Sequence, residues 1–476
     1  MLRYFVRACS ALALALFVPT AALAATDADL AEIRDQIRQL KESYEARIQA
    51  LEQRLKDAES HPAVAPPPAA VAPASAPPAA AAAPAPVPAP VAATAPATSG
   101  IAAFNPAISA VLQGLYTNLS QDPNKYALSG FAPSGDIAPG KRSFSLGESE
   151  LALSANVDDR FYGNLIVSLT PENTVSVEEA YGLYTGAGYG LAPKFGRFFS
   201  GLGYLNDQHQ HVWDFVDAPL VYQAFLGGQY DVDGVQLKWV APTDDVFLEF
   251  GGELGSGEGF PGTSLNKNGI GSGIAYVHAG GDIGDSSSWR AGLSYLQTRA
   301  RDRNYAQTDV FGNLAQVGFS GSSKLAVADF VWKYAPNGNA QQTNFKLQAE
   351  YFWRRESGDF TYDRDGAFGL TNTSDYGARQ SGFYVQGVYQ FLPAWRIGAR
   401  YDWLDPGQVD YGSNAFFLVN PSFNAQRSTV MLDWTPSEFS RVRLQYAQAK
   451  LREGVTDNEF FLQYILTLGA HGAHKF

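Results

Sequence analysis

From Phe383 to Leu404 the chain alternates apolar and polar positions with period 2 on both sides of a three-residue turn, Leu392-Pro393-Ala394. Phe383, Val385, Gly387, Tyr389 and Phe391 share one face of the first run, with Gln386 and Gln390 on the other. Trp395, Ile397, Ala399, Tyr401 and Trp403 share one face of the second, against Arg396, Arg400 and Asp402. Period 2 predicts two strands of a hairpin. A soluble sandwich gives large aromatics no special place at both ends of each strand. In a transmembrane barrel the apolar face meets lipid, the polar face meets a wet lumen, and aromatics gather at the two interfaces. The hairpin therefore predicts barrel wall.

The same alternation predicts strands near 107–119, 144–157, 161–169, 176–185, 191–198, 234–242, 246–254, 273–283, 289–299, 324–335, 344–355, 379–391, 395–404, 426–435, 441–451 and 459–468. Tight connections (158–160, 243–245, 336–343, 392–394, 436–440) alternate with long ones (120–143, 199–233, 255–272, 300–323, 356–378, 405–425), and 171–174 is a short exception on the long side. Short turns inside and long loops outside are the build of single-chain outer-membrane barrels. The expected fold is all-β, a transmembrane antiparallel β-barrel of about 16 strands over 101–476. Eighteen stays open because 220–233 carries no clear pattern.

Upstream the pattern changes twice. Leu30, Ile33, Ile37, Leu40, Tyr44, Ile48, Leu51, Leu55 and Ala58 step by three and four with one stutter, which predicts a short coiled coil within 25–60. Residues 61–100 are nearly all Ala, Pro, Val, Ser and Thr with twelve prolines, an extended linker. Before them, Arg3 and Arg7, the apolar run 11–18 and Ala22-Leu23-Ala24 read as a signal peptide over 1–24. Its Cys9 is the one cysteine of the chain, so the mature part has no disulfide and no thiolate chemistry. An exported barrel places the protein in the outer membrane of a Gram-negative bacterium, with the N-terminal segment in the periplasm and peptidoglycan as its candidate contact.

Charge refines the picture. Lys238 opposes Val235, Leu237 and Trp239; Lys346, Glu350 and Arg354 oppose Leu347, Tyr351 and Trp353; Arg441 and Arg443 oppose Val442 and Leu444. Charges on the lipid face cost about 2–4 kcal/mol at the midplane. Lys238, Glu249, Lys346, Glu350, Arg354, Arg396, Arg400, Asp402, Arg441 and Arg443 are therefore expected to line a wet pore and set which solutes pass. The long loop 199–233 adds Asp207, His209, His211, Asp214 and Asp217 as candidates for a constriction should it fold inward, and His209 with His211 as a candidate zinc pair. His471 and His474 lie apart at the C-terminus. The formal charge of −12, from 35 Lys+Arg and 47 Asp+Glu of which 8 and 9 fall in 1–100, disfavours nucleic acid. No Ser/His/Asp grouping and no phosphate-cradling glycine loop suggests an enzyme, and no cofactor is expected.

Residues 175–198, VSVEEAYGLYTGAGYGLAPKFGRF, followed by GYLNDQHQHVWDFVDAPL at 203–220, resemble the phosphate-selective porin O/P family. Phe104-Asn105-Pro106 and the ending Gly469 to Phe476 resemble related porins. The resemblance implies a homotrimeric barrel passing small hydrophilic or ionic solutes passively, anions such as phosphate among them. Two other readings compete: a structural barrel tethering the outer membrane to the cell wall through its coiled coil, and a zinc-related uptake channel using the loop histidines.

Overall fold

In the computed structural model, residues 106–135 and 137–469 are described. The signal peptide, coiled coil, linker, His471 and His474 lie outside them.

Sixteen strands, each antiparallel to the next, close on themselves. β1 (Ala107–Leu119) pairs with β2, whose two pieces, Ser143–Leu146 and Ser149–Asn156, both lie against β1. Between them β2 has one more residue than β1, a β-bulge at Gly147-Glu148. Then follow β3 (Phe161–Leu169), β4 (Val175–Tyr184), β5 (Leu191–Phe199), β6 (Asp231–Val240), β7 (Phe247–Gly255) and β8 (Ser272–Ile283). The second half runs β9 (Ser287–Thr308), β10 (Leu314–Tyr334), β11 (Asn344–Tyr362), β12 (Asn372–Leu392) and β13 (Trp395–Asp410). β14 (Gln426–Ser437), β15 (Ser440–Arg452) and β16 (Val455–Gly469) complete it. β16 returns to β1, from Ser109↔Gly469 to Leu119↔Glu459, so no sheet edge is left open. No helix among the described residues is long and apolar enough to cross a membrane.

The outward face is apolar, as alternation requires. Aromatic pairs mark the short-turn end: Trp395 with Trp434 (ring centroids 6.0 Å apart), Trp239 with Phe250 (5.6 Å) and Phe161 with Tyr184 (5.0 Å). A second belt includes Phe383 with Trp403 at 5.7 Å. Trp395 and Trp403, eight residues apart on one face, are separated by about 20 Å of membrane thickness for a strand tilted about 40°.

Two sequence expectations change. The stretches 300–323, 356–378 and 405–425 are not all loop: β9 to β13 run 16 to 22 residues, well past the roughly 10 that cross a bilayer, and rise beyond it as an extended wall. Outside the bilayer neither face needs to be apolar, so the alternation that marks strands is lost there. The eighteen-strand option closes, because 220–226 is helical and β6 begins at Asp231.

Val430 faces outward at mid-strand, 52% exposed, between Ala399 and Tyr446. Val430→Arg is expected to cost about 2–4 kcal/mol in urea unfolding from lipid vesicles.

Candidate functional site

The connection between β5 and β6, residues 200–230, turns into the barrel, and its geometry defines the site. Its neck is tied by Asn206, fully buried, whose side-chain amide donates to the carbonyls of Ser200 and Tyr230 (both 2.9 Å) and accepts from the Tyr230 N–H (2.8 Å). Gly203 has φ +71°, and a Cβ there would sit 2.3 Å from Glu350 Oε2. Only glycine lets the backbone approach this wall carboxylate. Glu350 accepts from the N–H groups of Tyr204 (3.1 Å) and Leu205 (3.2 Å) and from the hydroxyls of Tyr222 and Tyr384 (2.9 and 2.6 Å).

Further on, helix α1 (Leu220–Leu226) is buried at all seven positions. Apolar and aromatic residues on nearly every side, with Gln223 accepting from the Tyr126 hydroxyl at 2.6 Å, suit a helix with no wet face. Asp402 of the wall accepts from the Leu220 N–H at 2.9 Å, and Gly227, in the left-handed region, ends the helix. Around α1 lie Leu296, Leu325, Val327, Phe352, Tyr384 and Leu404, apolar residues on the otherwise polar inner face.

Ion pairs fasten the rest. Asp217 meets Arg400 Nη2 at 3.0 Å and Arg427 Nη1, while Arg400 and Arg427 both also face Asp402. Asp214 meets Lys346 and Arg396 and accepts from Gln386. Arg443 pairs with Asp433 at 2.7 Å and donates to the Trp213 carbonyl at 2.9 Å; Arg441 donates to the carbonyls of His211 and Trp213. Burial raises the Asp217 carboxyl, but Arg427 and Arg400 outweigh it and hold its pKa below the ordinary carboxylate range. Burial works against Asp214 in the same way, and Lys346 and Arg396 again leave its pKa lowered.

Toward β2 and β4, the short 3-10 turn Gln210–Val212 and the residue before it present two histidines. His209 Nδ1 lies 3.0 Å from Glu178 and 3.4 Å from Glu150, its Nε2 lies 3.4 Å from Glu179, and His211 Nδ1 lies 2.8 Å from Glu150. Burial disfavours the His209 cation, yet hydrogen bonds to Glu178 and Glu179 and the charge of Glu150 raise its pKa well above the usual imidazole range.

All ten residues expected on the pore wall lie at inward positions of their strands, and eight of them reach the inserted segment. Lys346, Glu350, Arg354, Arg396, Arg400, Asp402, Arg441 and Arg443 bind the inserted segment; Arg354, for example, donates to the Ala224 carbonyl and stacks over Phe225. Lys238 and Glu249 face the lumen elsewhere, Lys238 near the Tyr276 ring and Glu249 bonded to His278 at 3.0 Å. Of the loop candidates, Asp214 and Asp217 are consumed by buried pairs, while Asp207 stays exposed. Sequence reading missed Arg427, Asp433, Glu150, Glu178 and Glu179. Arg427 and Asp433 were legible as inward positions of β14. The other three were hidden by bulges that break the alternation.

No family model matches the chain. An uncharacterized protein of Aquifex aeolicus strain VF5 is 32% identical over 354 residues, covering 71% of each chain. Solved structures similar to this one include OmpT, an outer membrane protein of Vibrio cholerae, in its trimer form (TM-score 0.47, 12% identity, 76% of this chain and 99% of that one). The outer membrane channel DcaP of Acinetobacter baumannii has TM-score 0.45 at 14% identity over 78% of this chain and 99% of its own. An anion-selective porin from Comamonas acidovorans has TM-score 0.44 at 8% identity over 76% and 99%.

Asp217→Asn leaves Arg400 and Arg427 to share Asp402, one buried cation in excess, and is expected to cost on the order of 3–5 kcal/mol of segment docking, read as faster amide hydrogen exchange across 210–226. A carboxylate whose pKa is lower folded than unfolded stabilises above its unfolded value and loses that contribution as pH falls through the folded one. Protection from exchange across this segment, taken relative to the intrinsic amide rate at each pH, is thus expected to hold from neutral pH to about pH 4 and to fall below it.

Proposed function

We propose that this chain, which belongs to one family with the Aquifex aeolicus protein, forms a narrow channel in the outer membrane of a Gram-negative bacterium. Small hydrophilic or ionic solutes diffuse through it passively, with a preference for anions such as phosphate. The apolar outer face and closed hydrogen bonding suit a lipid surround. Charges on the inner face suit a wet interior.

One observation carries the anion preference. The inserted segment neutralises the wall charges of β11 to β15, but on β5, β6 and β9 the half-buried Lys194, Lys238 and Arg290 make no ion pair among the described residues. Their acidic neighbours are occupied or shielded: Glu249 holds His278, Glu253 is buried and accepts from Gln236 and the Gly201 N–H, and Asp329 is 4% exposed. Asp207 is the exposed acid there. Water-accessible cations outnumber accessible carboxylates on the unoccupied side, whatever the net charge of the whole chain. The reading includes a homotrimer, with the coiled coil at 25–60 and linker at 61–100 as a periplasmic extension. Deleting 25–100 is expected to leave conductance unchanged.

In planar bilayers the protein is expected to give small, stable conductance steps, with a reversal potential of the anion-preferring sign under a salt gradient. Lys194→Glu with Lys238→Glu is expected to shift that potential toward cations, and Asp217→Asn to enlarge the steps by loosening the segment. A folded, heat-modifiable barrel that gives no steps would overturn the channel reading.

A further inference from the structure

The histidines of the inserted segment meet a ledge of carboxylates that strand geometry does not produce by default. Consecutive residues of a strand face opposite ways. In β4, Glu179 pairs with Ile166 and Val177 with its neighbour Val167, so Glu178 is the extra residue of a β-bulge and both carboxylates turn inward. Glu150 joins them from β2, two strands away, and Glu148 of the β2 bulge lies beside Glu178. Three carboxylates thus meet two imidazoles, with the side chains of Glu150, Glu178, Glu179, His209 and His211 between 3% and 15% exposed.

Within this cluster, one ligand atom each from His209, Glu150 and Glu178 lies within 4.8 Å of the other two, and His209 Nδ1 is 3.4 Å from Glu150 Oε2 and 3.0 Å from Glu178 Oε2. Ligand atoms on a tetrahedral ion with bonds of 2.0–2.1 Å are about 3.3 Å apart. The surroundings are those of a braced site. His209 presents its other nitrogen, Nε2, to Glu179 at 3.4 Å, so an ion that displaces the Nδ1 proton meets that lone pair aimed at Glu150 and Glu178. Glu179 is itself fixed by the Asn164 amide (3.3 Å) and the Phe199 N–H (3.2 Å). His211 holds Glu150 through Oε1, leaving Oε2 for the centre.

We propose that His209, Glu150 and Glu178 bind a divalent transition-metal ion of the zinc class, joining the inserted segment to β2 and β4. The imidazole ligand disfavours Ca2+ and Mg2+, which prefer all-oxygen sites. Three protein ligands leave a fourth position for water or a solute anion. His211 and Glu179 are positioning residues. The site depends on the segment lying in the barrel and not on the channel reading, and the test separates the two.

Zn2+ is titrated calorimetrically into the full chain in detergent, with His471→Ala and His474→Ala as background to remove the terminal histidines. One ion per chain is expected. His209→Ala and Glu178→Gln, checked for heat-modifiable migration, are each expected to weaken binding about 10- to 100-fold, and excess Mg2+ to leave it unchanged. Equal affinity in the His209→Ala chain, or displacement by Mg2+, would overturn the site. A second readout needs no ligand substitution: zinc is expected to slow amide exchange across 200–230 in the background chain, and unchanged exchange would overturn the joining role.

Discussion

A charge inside a barrel is tolerated only when it is paired or wet, and in this chain pairing decides the architecture. Buried arginines such as Arg400, Arg427 and Arg443 would each cost several kcal/mol in isolation. Their acidic partners come from two sources. Asp402 and Asp433 belong to the wall, whereas Asp214 and Asp217 are delivered by the segment between β5 and β6. Withdrawing the segment would leave the wall with surplus cations and the segment with stranded carboxylates. Each side makes the other possible.

Polar pairing alone would hold the segment loosely. The apolar inset of Leu296, Leu325, Phe352 and Leu404 beneath α1 supplies a second, non-directional attraction, and Glu350 and Asp402 convert contact into register by accepting from backbone N–H groups at two points of the segment. The segment is consequently a part of the core and not a flap over it. On one side Lys194, Lys238 and Arg290 keep no ion pair among the described residues, and on another the segment's histidines meet the carboxylates of β2 and β4.

Small departures from regular alternation have large consequences here. The bulge that turns both Glu178 and Glu179 inward changes one register step, yet it creates the acidic ledge opposite His209. Gly203 works in the same way: its φ of +71° disfavours a side chain, and a Cβ there would push into the Glu350 carboxylate that anchors the segment.

The barrel itself was legible in the sequence. β1 at 107–119 and β3 at 161–169 fall where alternation alone puts them, and the strand number follows, because contact with lipid on one side and polar groups on the other imposes period 2 on every spanning strand separately. Where that contrast ends, as in the upper halves of β9 to β13, the sequence falls silent although the strands continue. Inward direction of the charged residues was legible for the same local reason. Their partners were not: Leu220 and Asp402 are 182 residues apart, Asp217 and Arg400 183, His211 and Arg441 230. Tyr384, Phe352 and Leu404, apolar residues on the polar face, were the one hint that something packs inside. Periodicity reports which side of a strand a residue takes, a property of its own neighbourhood. Whether an inward charge meets water or a carboxylate depends on how the chain between β5 and β6 folds back across the barrel, and only the tertiary structure decided that.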